Sequence, residues 1–352
     1  MCPPSAPPLL APTVIPNTAV SEIAAVTVCV DAAGGDHAPG EIIAGVAMAI
    51  ASDPGLHVLL TGPADVIDNF ATQHPGRVTA FATTQVIEMD EHPAHAVRTK
   101  PDSSIVVGCR LVKEGRAQAF FSAGSTGAVM TAATLVIGRI RGVSRPAIAT
   151  VIPTAGAPVV LLDSGANADC KPEYLLEFAR MGAAYSRTVL GVSRPRVALL
   201  NIGEEPTKGS QLALEAHALM AQQLDGFIGN IEGHHMMAGG ADVVVTDGFT
   251  GNVALKLLEG TSRMLLSQVR DALTSTPIAS VAALAAKPAL ARLRERLNPE
   301  AYGGAPLLGV NGVAVIGHGG SNARAVASAL QACAQAVRGG LTAAIADSVT
   351  GS

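Results

Sequence analysis

At 352 residues the chain is long enough for one large or two medium domains with a full core. Its 49% apolar content, 37 glycines, 15% charged residues and lack of tryptophan fit a large α/β enzyme with many strand-to-helix turns, not a repeat array or a disordered chain. A net charge of -4 offers no footprint for nucleic acid, and five cysteines without a C-x-x-C pair argue against a disulfide framework and for a reducing cytoplasm.

Residues 1–25 carry six prolines by position 16 and no basic n-region, which reads as a disordered extension rather than a signal peptide. No Lys or Arg precedes Arg77, so cations for an anionic ligand come from later segments. From Val26 onward one pattern recurs: a short apolar run, a loop of Gly and polar residues, then a helical pattern. Six places show it, in "VTVCVDAAGGDHAPGE", "AFFSAGSTGA", "PVVLLDSGANADCKPE", "RVALLNIGEEPTKGS", "ADVVVTDGFTGN" and "GVAVIGHGGSN". The last leads into a helix with Val326, Ala329, Leu330, Cys333 and Val337 on its apolar face and Ser321 as the expected N-cap.

Strands alternating with helices predict an α/β fold with a mostly parallel sheet covered on both sides, with ligands bound outside the carboxyl ends of the strands. All six polar loops are expected at that end. Residues 26–350 read as one catalytic unit, with lobes at about 26–148 plus 303–350 and at about 149–302. The uncharged run Ala117–Gly138 is long enough to span a bilayer. Turn residues from Ser122 to Gly127 interrupt it, however, so it reads as a buried strand, a loop and a buried helix. Thr261–Asn298 departs from the pattern: "PALARLRERL" places Leu290, Leu293 and Leu297 on one stripe with Arg292, Arg294 and Arg296 nearby. That suits a dimer arm, a docking surface for an acidic carrier, an interfacial membrane helix or a plain core-facing helix.

The loops hold Asp31 and Asp36; Ser122, Ser125 and Thr126; Asp163, Asn167 and Lys171; Asn201, Glu204, Glu205 and Lys208; Asp247, Thr250, Asn252 and Lys256; and His318, Ser321 and Asn322. Backbone N–H groups at glycine-rich turns and helix N-termini bind phosphate, and lysines add compensating charge. Nucleotide motifs fail: "GEEPTKGS" transposes Lys208 and Gly209 relative to a P-loop, and no G-x-G-x-x-G follows the first strand. Free phosphate, or a phosphate carried by something other than a nucleotide, fits better.

Glu91, His92 and His95 have a weak metal-ligand look, but Pro93 is expected to break the helix that would align them, and no metal is assigned. His234 and His235 would point apart on a strand as a surface pair. Cys170 beside Lys171 is either an activated thiolate or a buried structural cysteine. Ser125 lacks the G-x-S-x-G elbow of a hydrolase nucleophile.

Taken in order, "DAAGGDHAP", "SAGSTGA", "LLDSGANADCKPE", "LLNIGEEPTKG", "FIGNIEG", "VVVTDGFTGNVALKLLEG", "YGGAPLLGVNG" and "IGHGGSN" closely resemble the bacterial phosphate acyltransferase family of phospholipid synthesis, PlsX. "EHPAHAVRTKPDSS" also resembles a family segment, which implicates Arg98 and Lys100. The resemblance implies a three-layer α/β/α fold of the isocitrate and isopropylmalate dehydrogenase type, shared with phosphotransacetylase, with a helical protrusion. It further implies a cytoplasmic homodimer, associated with the inner face of the cell membrane, that needs no cofactor. The implied reaction joins a long-chain acyl group from an acyl-carrier protein to inorganic phosphate, and the acyl phosphate feeds a membrane glycerol-3-phosphate acyltransferase.

With phosphate as the nucleophile, catalysis reduces to positioning and oxyanion stabilisation. Gly34, Gly35 and Asp36 and the turn Gly124–Gly127, with Lys208 and Lys256, are expected to bind phosphate. Asn167, Asn201, Asn230 and Asn252 are candidates for thioester or oxyanion contacts. Asp31, Ser122, Lys171, Glu204, Asp247, Gly248, His318 and Asn322 complete the expected site. Three departures from the family pattern stand out: Ala33 for Met, Ser125 for Asn, and "HHMM" after Gly233 in place of a basic-acidic pair. Two other readings remain, an acyl-CoA-dependent phosphotransacetylase-like enzyme and a non-catalytic phosphate or carrier sensor.

Overall fold

The computed structural model describes residues 24–276, 287–288 and 303–350. The arm stripe at Leu290, Arg292, Leu293, Arg294, Arg296 and Leu297 and the extension up to residue 23 lie outside the described residues. In chain order the first half runs β1 (Val26–Asp31), α1 (Gly40–Ser52), β2 (Leu56–Gly62), α2 (Ala64–Gln73), β3 (Val78–Ala82), α3 (Pro93–Thr99), α4 (Ser104–Lys113), β4 (Ala119–Ser122) and α5 (Thr126–Ala132). A π-helical turn at Ala133–Ile137 extends α5 until Gly138, with φ of 91°, ends it. The second half runs β5 (Ala147–Ile152), β6 (Val159–Leu162), α6 (Pro172–Thr188), β7 (Val197–Leu200), α7 (Gln211–Gln223), β8 (Phe227–Ile231), α8 (Gly233–Met237), β9 (Val243–Val245), α9 (Gly248–Thr274), β10 (Ala305–Leu308), β11 (Val313–Ile316), α10 (Ala323–Arg338) and α11 (Leu341–Thr350).

Helix starts follow local chemistry. Ser103, Ser210, Asp247 and Asn322 each accept a hydrogen bond from the backbone N–H three residues on, at the starts of α4, α7, α9 and α10. The expected cap Ser321 is thus one residue early. Pro93 and Pro172 occupy the first turns of α3 and α6, where a missing N–H costs nothing. Pro93 therefore starts a helix instead of breaking one.

Among the described residues the strands form one eleven-stranded sheet in the order β3-β2-β1-β4-β11-β10-β5-β6-β9-β7-β8. The first five are parallel. β10 runs antiparallel to both β11 and β5, and β5 antiparallel to β6. The group β6-β9-β7-β8, parallel within itself, therefore runs opposite to the first five. This corrects the expectation that all six loops leave one end: those after β1, β4 and β11 leave one edge, those after β6, β7 and β9 the other. The cause is the short β5–β6 hairpin, tightened where Thr154 Oγ1 donates to Ala157 O at 2.7 Å and accepts from Gly156 N at 3.0 Å. The usual sheet twist of about 20–25° per step offsets part of that reversal over the six steps from β1 to β9.

Side chains alternate between the two faces. Phe120 points into the core beneath α4 and α5, and Phe121 into the larger core that α1, α6 and α10 cover. Both rings are fully buried, each contributing about 1.5–3 kcal/mol. No helix among the described residues is long and apolar enough to cross a membrane.

Candidate active site

The first group of loops closes around a buried carboxylate at the end of β1. Asp31 Oδ1 accepts from Ala33 N at 3.0 Å, and Oδ2 accepts from Ser122 Oγ at 2.7 Å. Ser122 Oγ in turn accepts from Gly124 N at 3.0 Å, so this N–H faces inward and not toward a ligand. Gly34 sits on this chain of bonds: a Cβ there would lie 2.4 Å from Asp31 Oδ2 and 2.8 Å from Gly124 N. The loop after β11 joins the group where Asp36 N donates to Gly319 O at 2.8 Å, with Gly35 against the same carbonyl. Asp31, Gly34, Gly35, Asp36, Ser122, Gly124 and Ser125 are thereby brought together, with His318 and the helix cap Asn322 at the rim. Thr126 and Gly127 start α5, and Gly127 packs on Pro93 of α3, where a Cβ would come within 2.6 Å of the ring. That contact brings Arg98 and Lys100 to the same flank. Arg98 is exposed, whereas Lys100 is tied to Val86 O at 2.7 Å and to Glu91, whose carboxyl it holds below the usual range.

Asp31 has no cation among its hydrogen-bond partners, and burial pushes its carboxyl above the usual carboxylate range despite the bonds from Ser122, Ser104, Ala33 and Gly34. A group that holds its proton more tightly when folded stabilises the fold below its unfolded pKa, and that contribution is lost as pH rises through the folded value. Asp31→Asn removes the loss. The unfolding free energy of the variant relative to wild type is therefore expected to improve as pH rises above about 4, the unfolded carboxylate range, in urea unfolding. A difference that is flat with pH contradicts this.

A second group is built on Asp163 at the end of β6. Its Oδ1 accepts from Ile148 N (3.0 Å), Gly165 N (3.2 Å) and Ala166 N (3.0 Å), and its Oδ2 from Asn167 N (2.7 Å) and Asn167 Nδ2 (2.9 Å). Burial again holds this carboxyl above the usual range against those bonds. The second N–H of the Asn167 amide goes to Pro146 O at 2.9 Å, so Asn167 has no side-chain donor left for an oxyanion and organises the loop instead. Gly248 N donates to Asn167 O at 2.7 Å, which seats the start of α9 on this loop, while Asp247 caps the helix. Gly251 makes that seat possible, because a Cβ there would fall 1.9 Å from Asp163 O. Asn252 flanks Gly165, and its amide has no partner among the described residues. Lys171 precedes α6 and is exposed; Lys256 is exposed on α9 and pairs with Glu259 at 3.0 Å. Burial raises the Cys170 thiol to about 11, which removes the activated-thiolate reading.

The third group follows β7. Asn201 Nδ2 donates to Lys208 O at 2.9 Å and Asn201 Oδ1 accepts from Ile202 N at 2.8 Å, fixing the loop that presents the exposed Lys208. Asn230 Nδ2 donates to Glu205 O at 2.9 Å, and its buried Oδ1 has no partner among the described residues. His234 and His235 lie on α8, not on a strand, with ring centroids 3.9 Å apart. His235 Nδ1 reaches Glu204 Oε1 at 2.6 Å, so the pair expected to point apart instead ties α8 to the Lys208 loop. The second group meets the first through Ala166, which packs on the core beneath α4 and α5.

Glycine-lined loops at helix starts with exposed lysines beside them suit the anionic substrates of acyl- or phosphoryl-transfer enzymes. Residues 26–343 match the model of the family described as "Fatty acid synthesis protein", and the chain belongs to that family. A phosphate acyltransferase of Heliobacterium modesticaldum is 49% identical over 328 residues, covering 92% of this chain and 98% of the relative. Among solved structures, a phosphotransacetylase from Streptococcus pyogenes superposes with a TM-score of 0.59 at 18% identity, covering 89% of this chain and 94% of that one. The EutD phosphotransacetylase from Staphylococcus aureus gives 0.57 at 17% identity, covering 89% and 95%. The dehydrogenase-type fold implied by the motif resemblance is corrected accordingly to a phosphotransacetylase-type fold. Short loop motifs specify turns and ligand contacts, and they do not fix the arrangement of the sheet that carries them.

Proposed function

We propose that the chain is a phosphate acyltransferase that transfers a long-chain acyl group from an acyl-carrier-protein thioester to inorganic phosphate. A phosphate oxygen attacks the thioester carbonyl carbon, the oxyanion forms and collapses, and the C–S bond breaks. The thiolate leaves and takes up, through water, the proton that the attacking hydrogen phosphate gives up, so no acyl-enzyme and no strong general acid are needed. The observation that carries this reading is that neither Ser122 nor Cys170 is armed for attack: Ser122 Oγ is bound to Asp31, and burial raises the Cys170 thiol to about 11. Lys208, the Gly35 N–H and the turn Ser125–Gly127 hold phosphate, since the N–H groups of Gly34 and Asp36 are spent on Asp31 and Gly319 O, and Asn252, with its unengaged amide, meets the thioester oxygen.

The enzyme works as a cytoplasmic homodimer at the inner face of the membrane and hands its product to a membrane glycerol-3-phosphate acyltransferase. A stripe on α9 supports pairing of two copies: Phe249, Val253 and Leu257 are 66%, 51% and 69% exposed at spacings of four. Thiol release from acyl-carrier protein and from acyl-CoA, each with and without phosphate, tests the reading. Phosphate-dependent release from the carrier is expected. Release from CoA alone points to a phosphotransacetylase-like enzyme, and no release from either points to a sensor.

A further inference from the structure

Between Glu114 and Asp163 the chain carries four arginines and no carboxylate, although its net charge is -4. Three of them, Arg139, Arg141 and Arg145, fall in the loop from the end of the π-helical turn to β5, and all three are exposed. None forms an ion pair among the described residues. The loop is held firmly from beneath. Ile140 N donates to Gly309 O at 3.0 Å, and Asn311 N to Gly138 O at 2.8 Å. Arg139 donates to Ser144 O, and Ser144 N and Oγ each donate to Glu177 at 2.7 Å. Both Glu177 oxygens are thus engaged on the loop backbone and hydroxyl, not on a guanidinium. Arg141 has no partner at all among the described residues.

The loop ends on the candidate site, since Pro146 O, next to Arg145, is the acceptor of the Asn167 amide. The Arg145 guanidinium lies 6.0 Å over the ring of Tyr174, whose backbone N donates to Lys171 O at 3.0 Å. The three exposed arginines therefore lie in one loop whose far end reaches the start of α6 at Lys171 and, through Pro146, the Asp163–Asn167 loop. Next to it, Leu135 of the π-helical turn is 65% exposed, an apolar contact at the rim of the charge. Fixed, unpaired cations flanking a reaction centre raise the encounter rate with an acidic partner and orient it.

We infer that Arg139, Arg141 and Arg145, with Leu135, form the docking surface for an acidic carrier protein that presents the acyl thioester to the Asn167 side of the site. This rests on the proposed function, because only a protein-borne thioester needs such a surface. It also moves carrier docking away from the arm at 261–298.

The test compares two donors, an acyl-carrier-protein thioester and the same acyl group on N-acetylcysteamine, for wild type, Arg141→Glu and the pair Arg141→Glu/Arg145→Glu. Arg141→Glu breaks no hydrogen bond or ion pair among the described residues and keeps the test sound if the double variant folds poorly. KM for the carrier is expected to rise about threefold in the single and about tenfold or more in the double variant, with kcat and the small-donor kinetics unchanged. Wild-type KM for the carrier should rise with salt, and that slope should shrink in the variants. An unchanged carrier KM in Arg141→Glu, or equal losses with both donors, overturns the surface while leaving the proposed reaction standing. No phosphate-dependent turnover of the carrier thioester by wild type takes down the reaction and the surface together.

Discussion

Asp163→Ala is expected to lower the unfolding free energy by about 3–5 kcal/mol, because it leaves a set of buried donors without their acceptor. The donors come from separate parts of the chain: Ile148 N from β5, three successive backbone N–H groups of the loop, and the Asn167 amide. Loss of the carboxylate also frees Asn167, whose carbonyl seats Gly248 at the start of α9. Asp163→Asn keeps one acceptor oxygen and should cost distinctly less than Asp163→Ala. Denaturant unfolding of both variants measures this. A loss below about 1 kcal/mol for Asp163→Ala, within the range of an ordinary single hydrogen bond, would show that the loop is held by other means.

Lys208→Ala is expected to raise the KM for phosphate by about 10- to 100-fold, the range of a lost charge-assisted hydrogen bond, with a smaller effect on the acyl donor. The loop is built to present this side chain: Asn201 anchors its carbonyl, its N–H donates to Glu205 O at 3.1 Å, and its ammonium has no ion-pair partner among the described residues. Lys256→Ala should act more weakly, since that ammonium already pairs with Glu259 one turn along α9. Initial rates against phosphate concentration separate the two. Equal phosphate KM in wild type and both variants would remove lysine from the phosphate site.

The six strand-loop-helix units were legible because each strand is a short, mostly buried apolar run, of Val, Ile and Leu or, in β4, of two Phe, and each loop is marked by Gly and polar residues. Strand direction was not, because it hangs on the six-residue connection through Thr154 that reverses β6. Ser321 was placed one residue early as a cap, since Ser and Asn are both good caps and only geometry selects Asn322. "GHHMM" is too short to show a helical period, which is why His234 and His235 were read as a strand pair. Asp163 was visible as a loop residue, but its role as an organiser depends on Ile148 from another strand, and no local spacing reveals that. A signal for the arginine loop did exist in the carboxylate-free run between Glu114 and Asp163.

In the proposed reaction phosphate itself attacks the thioester and no enzyme side chain is acylated. This is tested by rapid mixing of a molar excess of acyl-loaded carrier protein with the enzyme in phosphate-free buffer, with the liberated thiol followed over the first turnover. No thiol burst is expected until phosphate is added, and then steady release accompanied by acyl phosphate. A burst stoichiometric with enzyme in the absence of phosphate would reveal an acyl-enzyme and overturn direct attack by phosphate.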